Sequence, residues 1–287
     1  MSFTLPDIIL QTQVQSALLE DLGRRGDITS AATIPAQHTA DLHIVARESG
    51  VLCGLALARL AFTTLDAQIQ FHSDLADGDL IHAGSIIASV HGNARAILSA
   101  ERTALNFLTH LSGIASITQR IQSSIAHTQA QLTCTRKTIP GLRDLQKYAV
   151  RVGGGRNHRM GLDDAILIKD NHIALAGGDL KQVLHQAKQA AGHLIPIEVE
   201  VDNLIQLEAV LSEGIDLVLL DNMDTATLKT AVEMCQGKAK TEASGGITPA
   251  RAVEVAETGV DFLALGYITH SAKYLDIGLD FLSPTAP

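Results

Sequence analysis

Residues 196–246, PIEVEVDNLIQLEAVLSEGIDLVLLDNMDTATLKTAVEMCQGKAKTEASGG, decide the fold. Three short apolar segments, 196–201, 216–221 and 239–244, are rich in β-branched residues or alternate in polarity, which indicates strands. Between them lie two segments with the apolar spacing of amphipathic helices. Repeated strand–helix units of this kind predict a parallel sheet that is covered by helices.

The same alternation extends on both sides of this stretch. Segments 132–136, 165–169 and 261–266 also have the composition of short strands, which brings the prediction to six. A complete eight-unit barrel needs about 250 residues. The part of the chain that holds these six units is too short for eight. We therefore predict an incomplete, open α/β barrel of six or seven strands, with a doubly wound open sheet as the alternative.

The chain before residue 130 has a different pattern. Residues 40–92 predict strands separated by glycine turns, and a helix with an apolar stripe follows from residue 93. We expect Ser112 and Gly113 to interrupt that helix. The C-terminal segment after residue 268 has another β pattern, and we expect it to return to the N-terminal domain.

The composition excludes several classes of protein. Aromatic residues make up 3% of the chain and the pI is about 5.7, which argues against nucleic-acid binding. The three cysteines are widely spaced without a C-x-x-C pair, so a disulfide framework or a zinc site is not expected. The N-terminus lacks a signal-peptide pattern, and no apolar run reaches the length of a membrane span. We expect a cytoplasmic protein without a membrane partner.

One segment of this acidic chain is strongly basic. Residues 135–169 hold eight Lys and Arg against three acidic residues, whereas the whole chain has a formal net charge of −9. A focused basic cluster in an acidic protein favours a site for a small anion.

Polar side chains stand at the end of nearly every predicted strand. They are Arg136, Lys137, Lys169, Asp170, Glu200, Asp221, Ser244 and Gly266. Because the carboxyl ends of parallel strands form the ligand-facing rim of α/β folds, we expect these residues to surround one pocket.

Two parts of that rim are typical of phosphate and metal chemistry. Ser244, Gly245 and Gly246 can offer backbone N–H groups to a phosphate, although the glycines could simply form a tight turn. Glu200 and Asp221 could bind Mg²⁺ or sugar hydroxyls, or cap helices. Glu198 has the same parity as Glu200, and we expect it to point inward and to pair with a buried cation.

Lys169 follows a buried strand and has two interpretations. It could be a Schiff-base nucleophile or a clamp for a carboxylate, and the residues alone leave this open. Two other functions are possible: a lyase that uses Lys169 as a Schiff-base nucleophile, and a non-catalytic binding protein. Each of them would leave part of the rim unexplained. Arg102, taken alone, is typical of a solvated helix surface.

Several motifs together resemble one family, the type II quinolinate phosphoribosyltransferases. The segments that carry the resemblance are EDLGRRGDITS, AERTALNFLTHLSGIAS, TRKTIPGLRDLQKYAVRVGGGRNHRMGLDDAILIKDNH, EVEVDNLIQLEAV, LVLLDNM, EASGGI and THSAKYLDIGLDF. The resemblance implies an N-terminal α/β sandwich domain, residues 1–112 joined by the tail 271–287, and an open α/β barrel domain, residues 113–270. It also implies a homodimer, with a hexamer as an alternative assembly.

The resemblance further implies a reaction. Family members transfer the phosphoribosyl group of phosphoribosyl pyrophosphate to quinolinate with Mg²⁺, and they release pyrophosphate and CO₂ in forming nicotinate mononucleotide for NAD biosynthesis. Both substrates are polyanions, which would account for the basic segment.

By the same resemblance, each predicted site residue receives a role. Arg136, His158, Arg159 and Lys169 would hold the quinolinate carboxylates, with Thr135 beside them. Lys137, and Arg102 from the second subunit, would neutralise pyrophosphate. Glu200 and Asp221 would hold Mg²⁺ and the ribose hydroxyls, and Lys137, Lys169, Glu200 and Asp221 would be the catalytic residues. The 5′-phosphate would bind at Ser244, Gly245, Gly246, Leu265, Gly266 and Tyr267.

Four residues depart from the family pattern. They are Cys134 before the TRKT motif, Arg156 in the glycine loop, Asp163 in GLDD, and Tyr267 beside the expected phosphate site. None of them replaces a predicted rim residue, but Tyr267 changes the surroundings of the phosphate.

Overall fold

The computed structural model describes residues 4–281, and residues 1–3 and 282–287 lie outside the description. The chain forms two compact units. The first contains the chain up to Gln119, Asp144–Gly154 and the chain from Ala272 onward, and the second contains Arg120–Arg143 and Gly155–Ser271. The expected domain bounds, 1–112 with 271–287 and 113–270, stay a prediction, and both ends of the first domain fall outside the described residues.

Helices and strands alternate regularly only in the second half of the chain. The helices are α1 Asp7–Leu22, α2 Ile28–Thr33, α3 Leu55–Leu65, α4 Ala94–Ser124, α5 Arg143–Val152, α6 Asp170–Leu175, α7 Leu180–Ala190, α8 Leu204–Ser212, α9 Thr225–Cys235, α10 Ala252–Ala256 and α11 Tyr267–His270. The strands are β1 Thr39–Ala46, β2 Gly50–Val51, β3 Gln70–His72, β4 Leu80–Ile81, β5 Ile86–Asn93, β6 Gln131–Thr133, β7 Ile166–Ile168, β8 Ile197–Val201, β9 Leu217–Asp221, β10 Lys240–Ser244, β11 Phe262–Ala264 and β12 Ile277–Asp280.

The first unit is built on an antiparallel sheet in the order β12-β1-β5-β3. Strand β1 pairs with β5 on one side, with Leu42 opposite Val90, and with β12 on the other, with Ile44 opposite Leu279. The C-terminal segment therefore supplies an edge strand to a sheet whose other strands come from the first hundred residues. A second, two-stranded sheet joins β2 and β4.

Helix α4 is continuous, and the expected interruption at Ser112 and Gly113 is wrong. Both residues serve tertiary packing instead. The Ser112 hydroxyl accepts a hydrogen bond from the backbone N–H of Cys53 at 2.9 Å. A Cβ at Gly113 would lie 2.1 Å from the carbonyl oxygen of Lys273, so glycine permits the chain to cross the helix closely. A single glycine lowers the stability of a helix by only about 1 kcal/mol relative to alanine. The packing at Gly113 offsets this loss.

The second unit is built on six parallel strands in the order β6-β11-β10-β9-β8-β7. From β7 to β11 each strand lies beside the next one in the chain, and β6 follows β11. A doubly wound sheet would reverse its order at a switch point, and this sheet does not. The predicted open barrel is confirmed, the doubly wound alternative is wrong, and the barrel is open between β6 and β7.

The strands of the second unit are buried and the helices start at polar caps. Val218, Leu219 and Leu220 of β9 are all buried, as expected for a parallel sheet covered by helices. Asn203 accepts a hydrogen bond from the N–H of Gln206 at 3.0 Å, and Asp224 accepts one from Thr227 at 2.7 Å. These side-chain caps fix where α8 and α9 begin, immediately after the strand ends that carry Glu200 and Asp221.

Candidate active site

A cavity of about 540 Å³ lies at the carboxyl ends of the parallel strands of the second unit. Its walls are formed by Thr135, Arg136, Lys137, His158, Arg159, Leu167, Lys169, Glu200, Leu219, Asp221, Asn222, Ser244, Gly245, Gly246 and Ala264. Most of the predicted site residues of this unit are therefore brought together. Leu265, Gly266 and Tyr267 are not among the lining residues, and Arg102 belongs to the first unit, where it is exposed on α4.

Two arginines place positive charge on one part of the wall. The Nε of Arg136 is buried and has no hydrogen-bond partner among the described residues. Nη1 of Arg159 donates to the carbonyl of Ala165 at 3.2 Å. Burial lowers the pKa of Arg159 and the nearby charge of Arg136 lowers it further, while Asp164 and Glu198 act in the opposite direction. Neighbouring guanidinium groups with an unused donor suit an anion with planar carboxylates.

Lys169 is paired with a carboxylate across two neighbouring strands. Its Nζ donates to Oε2 of Glu200, and its backbone N–H donates to Nδ1 of His172 at 3.0 Å. An ammonium group that a carboxylate holds has no free electron pair for nucleophilic attack. The two interpretations of Lys169, a Schiff-base nucleophile and a clamp for a substrate carboxylate, both stay predictions.

Asp221 is held by the residue that follows it. Nδ2 of Asn222 donates to Oδ2 of Asp221 at 2.6 Å, and the backbone N–H of Asn222 donates to the carbonyl of Ser244 at 3.0 Å. Among the described non-glycine residues, Asn222 alone has a positive φ, 53°, a conformation that asparagine tolerates better than most residues. The sequence analysis did not assign a role to Asn222.

The chemistry of the acidic pair fits a magnesium ion. Glu200 and Asp221 stand at the ends of adjacent strands β8 and β9 and both line the cavity. Mg²⁺ is commonly bound by one or two carboxylates together with phosphate oxygens of a substrate and water, which is the donor set that these two residues would complete.

Glycines 245 and 246 make the turn that leaves strand β10. Their φ angles are 86° and 60°, in the left-handed region that favours glycine. The helical segment that follows has Thr248 at its N-cap position and Pro249 as its first residue. Its first turn, Pro249–Arg251, is a 3-10 helix, and the Thr248 side chain does not cap it. The turn thus presents backbone N–H groups without a long helix behind it.

Gly266 supports the cavity indirectly. A Cβ at this position would lie 2.8 Å from Cδ of Lys137, and the Thr269 hydroxyl donates to the carbonyl of Lys137 at 2.7 Å. Gly266 and Thr269 therefore both contact the loop that carries Lys137.

A buried polar cluster lies within the barrel. Glu198 is buried, as predicted, and its Oε2 lies 2.9 Å from Nε2 of His158. Glu242 is also buried, with Oε1 3.8 Å from the same nitrogen and 3.1 Å from the Thr133 hydroxyl that donates to it. Glu242 is not among the predicted site residues, although it stands two residues before Ser244 and so shares its face of the strand.

Two of the four residues that depart from the family pattern, Cys134 and Arg156, have hydrogen-bond partners in the structure. Cys134 is buried and its thiol donates to Oδ1 of Asn157 at 3.5 Å. The Arg156 side chain is exposed, and its backbone N–H donates to the carbonyl of Leu132 at 2.8 Å. This bond ties the start of the His158 loop to strand β6.

Comparison with known proteins agrees with this arrangement. A family model described as the C-terminal domain of quinolinate phosphoribosyl transferase matches residues 114–280, and the corresponding N-terminal domain model matches residues 27–112. The chain belongs to the quinolinate phosphoribosyltransferase family. The two family models together match most of both predicted domains.

Similar proteins of the family are known from several organisms. A probable nicotinate-nucleotide pyrophosphorylase (carboxylating) of Bacillus subtilis is 44% identical over 91% of this chain and 90% of its own length. The corresponding enzyme of Mycobacterium leprae is 44% identical over 93% of this chain and 95% of its own. The solved structure of the nicotinate-nucleotide pyrophosphorylase of Francisella tularensis has a TM-score of 0.91 and 38% identity, covering 97% of this chain and 98% of that one.

Across residues 4–281, no helix has both the length and the hydropathy that are needed to cross a membrane.

Proposed function

We propose that this chain catalyses the transfer of a phosphoribosyl group from phosphoribosyl pyrophosphate to quinolinate with loss of CO₂. The products are nicotinate mononucleotide, pyrophosphate and CO₂, and the reaction belongs to NAD biosynthesis. One observation carries the proposal: a single cavity is lined by two arginines, by a pair of carboxylates on neighbouring strands, and by a glycine turn. Each of these three features fits a different part of the two substrates.

Quinolinate binds at the basic part of the wall. Its two carboxylates match the guanidinium groups of Arg136 and Arg159, which can each bind a carboxylate through two parallel hydrogen bonds. The buried, unused Nε of Arg136 supports this, because a buried donor without a partner is costly until a ligand occupies it. Lys169 lies beside them, and Thr135 and His158 complete the wall.

Phosphoribosyl pyrophosphate binds at the acidic and glycine-containing part. Glu200 and Asp221 hold Mg²⁺ and the ribose hydroxyls, and the turn from Ser244 to Gly246 binds the 5′-phosphate. Leu265, Gly266 and Tyr267 back this site from the next strand. Lys137, together with Arg102 from the second chain of a homodimer, neutralises the pyrophosphate, and the exposure of Arg102 on α4 is compatible with a role in another subunit.

The reaction proceeds by charge stabilisation more than by proton transfer. The C1–O bond to pyrophosphate breaks as positive charge develops on the ribose, and the pyridine nitrogen forms a bond to C1. Bound Mg²⁺ would neutralise part of the charge on pyrophosphate. When the adjacent carboxylate departs as CO₂, its bonding electron pair stays on the ring carbon, where the positive charge of the neighbouring quaternary nitrogen stabilises it, and uptake of a proton from solvent by that carbon gives nicotinate mononucleotide. Lys169, which pairs with Glu200 in the free protein, would stabilise the ring carbanion by its positive charge.

The test is a direct assay of the purified protein. Quinolinate, phosphoribosyl pyrophosphate and Mg²⁺ should give nicotinate mononucleotide and CO₂ in equal amounts. Chelation of divalent ions should stop the reaction and added Mg²⁺ should restore it, and nicotinate should not replace quinolinate. Arg136→Ala and Arg159→Ala should each raise the KM for quinolinate roughly 10- to 100-fold. Failure of the wild-type protein to form product while it binds quinolinate would contradict the proposed reaction.

A further inference from the structure

Arg143 links the two loops that carry Arg136 and Arg159. Its Nε donates to the Thr138 hydroxyl at 3.0 Å, and its Nη1 donates to the backbone carbonyl of Met160 at 3.1 Å. Thr138 stands two residues after Arg136, and Met160 directly follows Arg159. One planar guanidinium group therefore spans both loops, and all of these residues belong to the second unit.

The link continues through Thr138 to the backbone of Arg136. The Thr138 hydroxyl accepts from Arg143 and donates to the Arg136 carbonyl, which lies 3.5 Å away. The backbone N–H of Thr138 donates to the same carbonyl at 2.9 Å. Because a hydroxyl can donate one hydrogen bond while it accepts another, a continuous path joins the Arg143 side chain to the main chain of Arg136.

A tight turn returns Arg143 to Thr138. The backbone N–H of Leu142 donates to the Ile139 carbonyl at 3.1 Å, and Gly141 has a φ of 83°. A proline followed by a glycine with positive φ at the two middle positions is typical of a type II turn. The sequence between Thr138 and Arg143 therefore builds the geometry that the hydrogen bond between them needs.

Neither helix formation nor contact with the cavity accounts for an arginine at position 143. Arg143 is the first residue of α5, where the positive end of the helix dipole disfavours a cation. It does not line the cavity of the second unit, so a direct contact with a ligand there does not explain it. The two hydrogen bonds to the neighbouring loops are the interactions that need a guanidinium group at this position.

The two arginines that Arg143 links repel each other. Burial lowers the pKa of Arg159, and the nearby charge of Arg136 lowers it further. Like charges on neighbouring loops favour a wider separation unless the loops are held together. The hydrogen bonds of Arg143 supply such a restraint, and bonds from a charged donor are stronger than those from a neutral one.

We propose that Arg143 is a positioning residue that fixes the spacing of Arg136 and Arg159 and thereby selects dicarboxylates whose two carboxylates stand on adjacent ring atoms. This inference rests on the proposed function, in which these two arginines bind the carboxylates of quinolinate, which is pyridine-2,3-dicarboxylate. With a fixed spacing, both guanidinium groups bind the adjacent pair at once. Pyridine-2,6-dicarboxylate has its carboxylates on opposite sides of the ring nitrogen and can use one of them. Without Arg143 the loops adapt to either isomer, and ordering them weakens the binding of quinolinate.

Calorimetric binding of quinolinate and of its 2,6-isomer tests this proposal without turnover. We expect the wild-type protein to bind quinolinate at least about tenfold more tightly than the isomer. Arg143→Met keeps the length of the side chain and removes both donors, and we expect it to lower this ratio of Kd values at least about fivefold. A general loss of stability would weaken both ligands alike and leave the ratio unchanged. An unchanged ratio would overturn the proposal, and so would equal affinities of the wild-type protein for the two isomers.

Thr138→Val is a milder variant that keeps the test decisive if Arg143→Met does not fold. It preserves the shape of the side chain and removes only the acceptor of the Nε bond, and we expect the ratio to change in the same direction. Because both changes break one link, the double variant should show no larger effect than Arg143→Met alone. Effects of the two changes that multiply would contradict a single link.

Arg156→Met is the matched control for the loss of one positive charge. Its side chain is exposed in the loop before His158, and we expect the ratio to stay within about twofold of the wild-type value because a lone exposed charge contributes little. A decrease as large as that in Arg143→Met would mean that total charge sets the ratio, which would overturn the proposal. A wild-type protein that binds quinolinate but forms no nicotinate mononucleotide would refute the proposed function and leave this binding test valid.

Discussion

At the scale of single residues, the Ser244–Gly246 turn that is proposed to bind the 5′-phosphate depends on the contact between Gly245 and Asn222. A Cβ at Gly245 would lie 2.6 Å from the backbone nitrogen of Asn222 and 2.3 Å from its Oδ1. Asn222 in turn holds the Asp221 carboxylate. The shape of the turn and the orientation of the proposed metal ligand are therefore coupled.

This coupling predicts different effects for two adjacent glycine substitutions. Gly245→Ala would combine a left-handed backbone with this clash, and we expect the KM for phosphoribosyl pyrophosphate to rise more than about tenfold. Gly246→Ala is the control, because its Cβ would meet nothing within 4 Å and only the backbone strain of about 1–2 kcal/mol remains. Steady-state kinetics with each substrate varied would test this, and equal effects of the two changes would contradict it.

Lys169 gives a second prediction at this scale. Lys169→Ala removes the charge that is proposed to stabilise the ring carbanion, and we expect kcat to fall roughly 100- to 1,000-fold. Lys169→Arg keeps the charge and is the matched control, with a smaller loss of kcat. Single-turnover formation of nicotinate mononucleotide would measure the effect, and an unchanged rate for the alanine variant would remove Lys169 from the chemistry.

The rim residues could be predicted from the sequence because strand ends in a parallel sheet meet at one edge. Asp221 follows an apolar run, and Glu200 stands in a segment that alternates in polarity, so each of them marks its own strand. The roles of Glu242 and Asn222 could not be predicted in this way. They arise from contacts with other strands, to Thr133 and to Ser244, which no local pattern encodes.

At the scale of elements, the packing around α4 depends on the absence of a side chain at Gly113. We expect Gly113→Ala to lower the melting temperature by roughly 3–10 °C, because the Lys273 carbonyl must move away from the helix. Gly192→Ala is the control, since its Cβ would meet nothing within 4 Å and its φ is not in the left-handed region. Thermal unfolding followed by circular dichroism would decide, and similar melting temperatures for both variants would argue against the close approach.

The repeated strand–helix units predicted a parallel sheet in the second unit, and their number and length favoured an open barrel, but the order of the strands in space could not be read from the sequence. Repeated strand–helix units occur in barrels and in doubly wound sheets alike, and only the spatial order of the strands separates them. The strand expected over 132–136 ends at Thr133 because β6 pairs with β11 over three residues only. The chain beyond that point is then free to form the basic loop that carries Arg136 and Lys137.

At the scale of the whole molecule, the proposed homodimer makes a prediction about mixed subunits. Arg102→Ala and Arg136→Ala should each strongly lower the activity of a dimer of identical chains when quinolinate is well below the KM of the variants. A dimer that contains one chain of each kind should recover about half of the wild-type activity, because one of its two symmetric sites has both arginines. Co-expression with two different tags and tandem purification would yield this species, and a dimer of two Arg136→Ala chains with the same tags is the control. No recovery would mean that Arg102 acts within its own chain.

The pairing of β12 with β1 has a consequence for how the chain folds during its synthesis. Ile44 lies opposite Leu279 in the antiparallel register, so the edge of β1 stays unpaired until residues 277–280 have left the ribosome. An unpaired edge can recruit another strand, and pairing between distant segments is slow. The second unit, by contrast, has all its strands available earlier. A nascent chain that stops before residue 272 would therefore expose an unpaired edge of β1. We expect such truncated chains to aggregate.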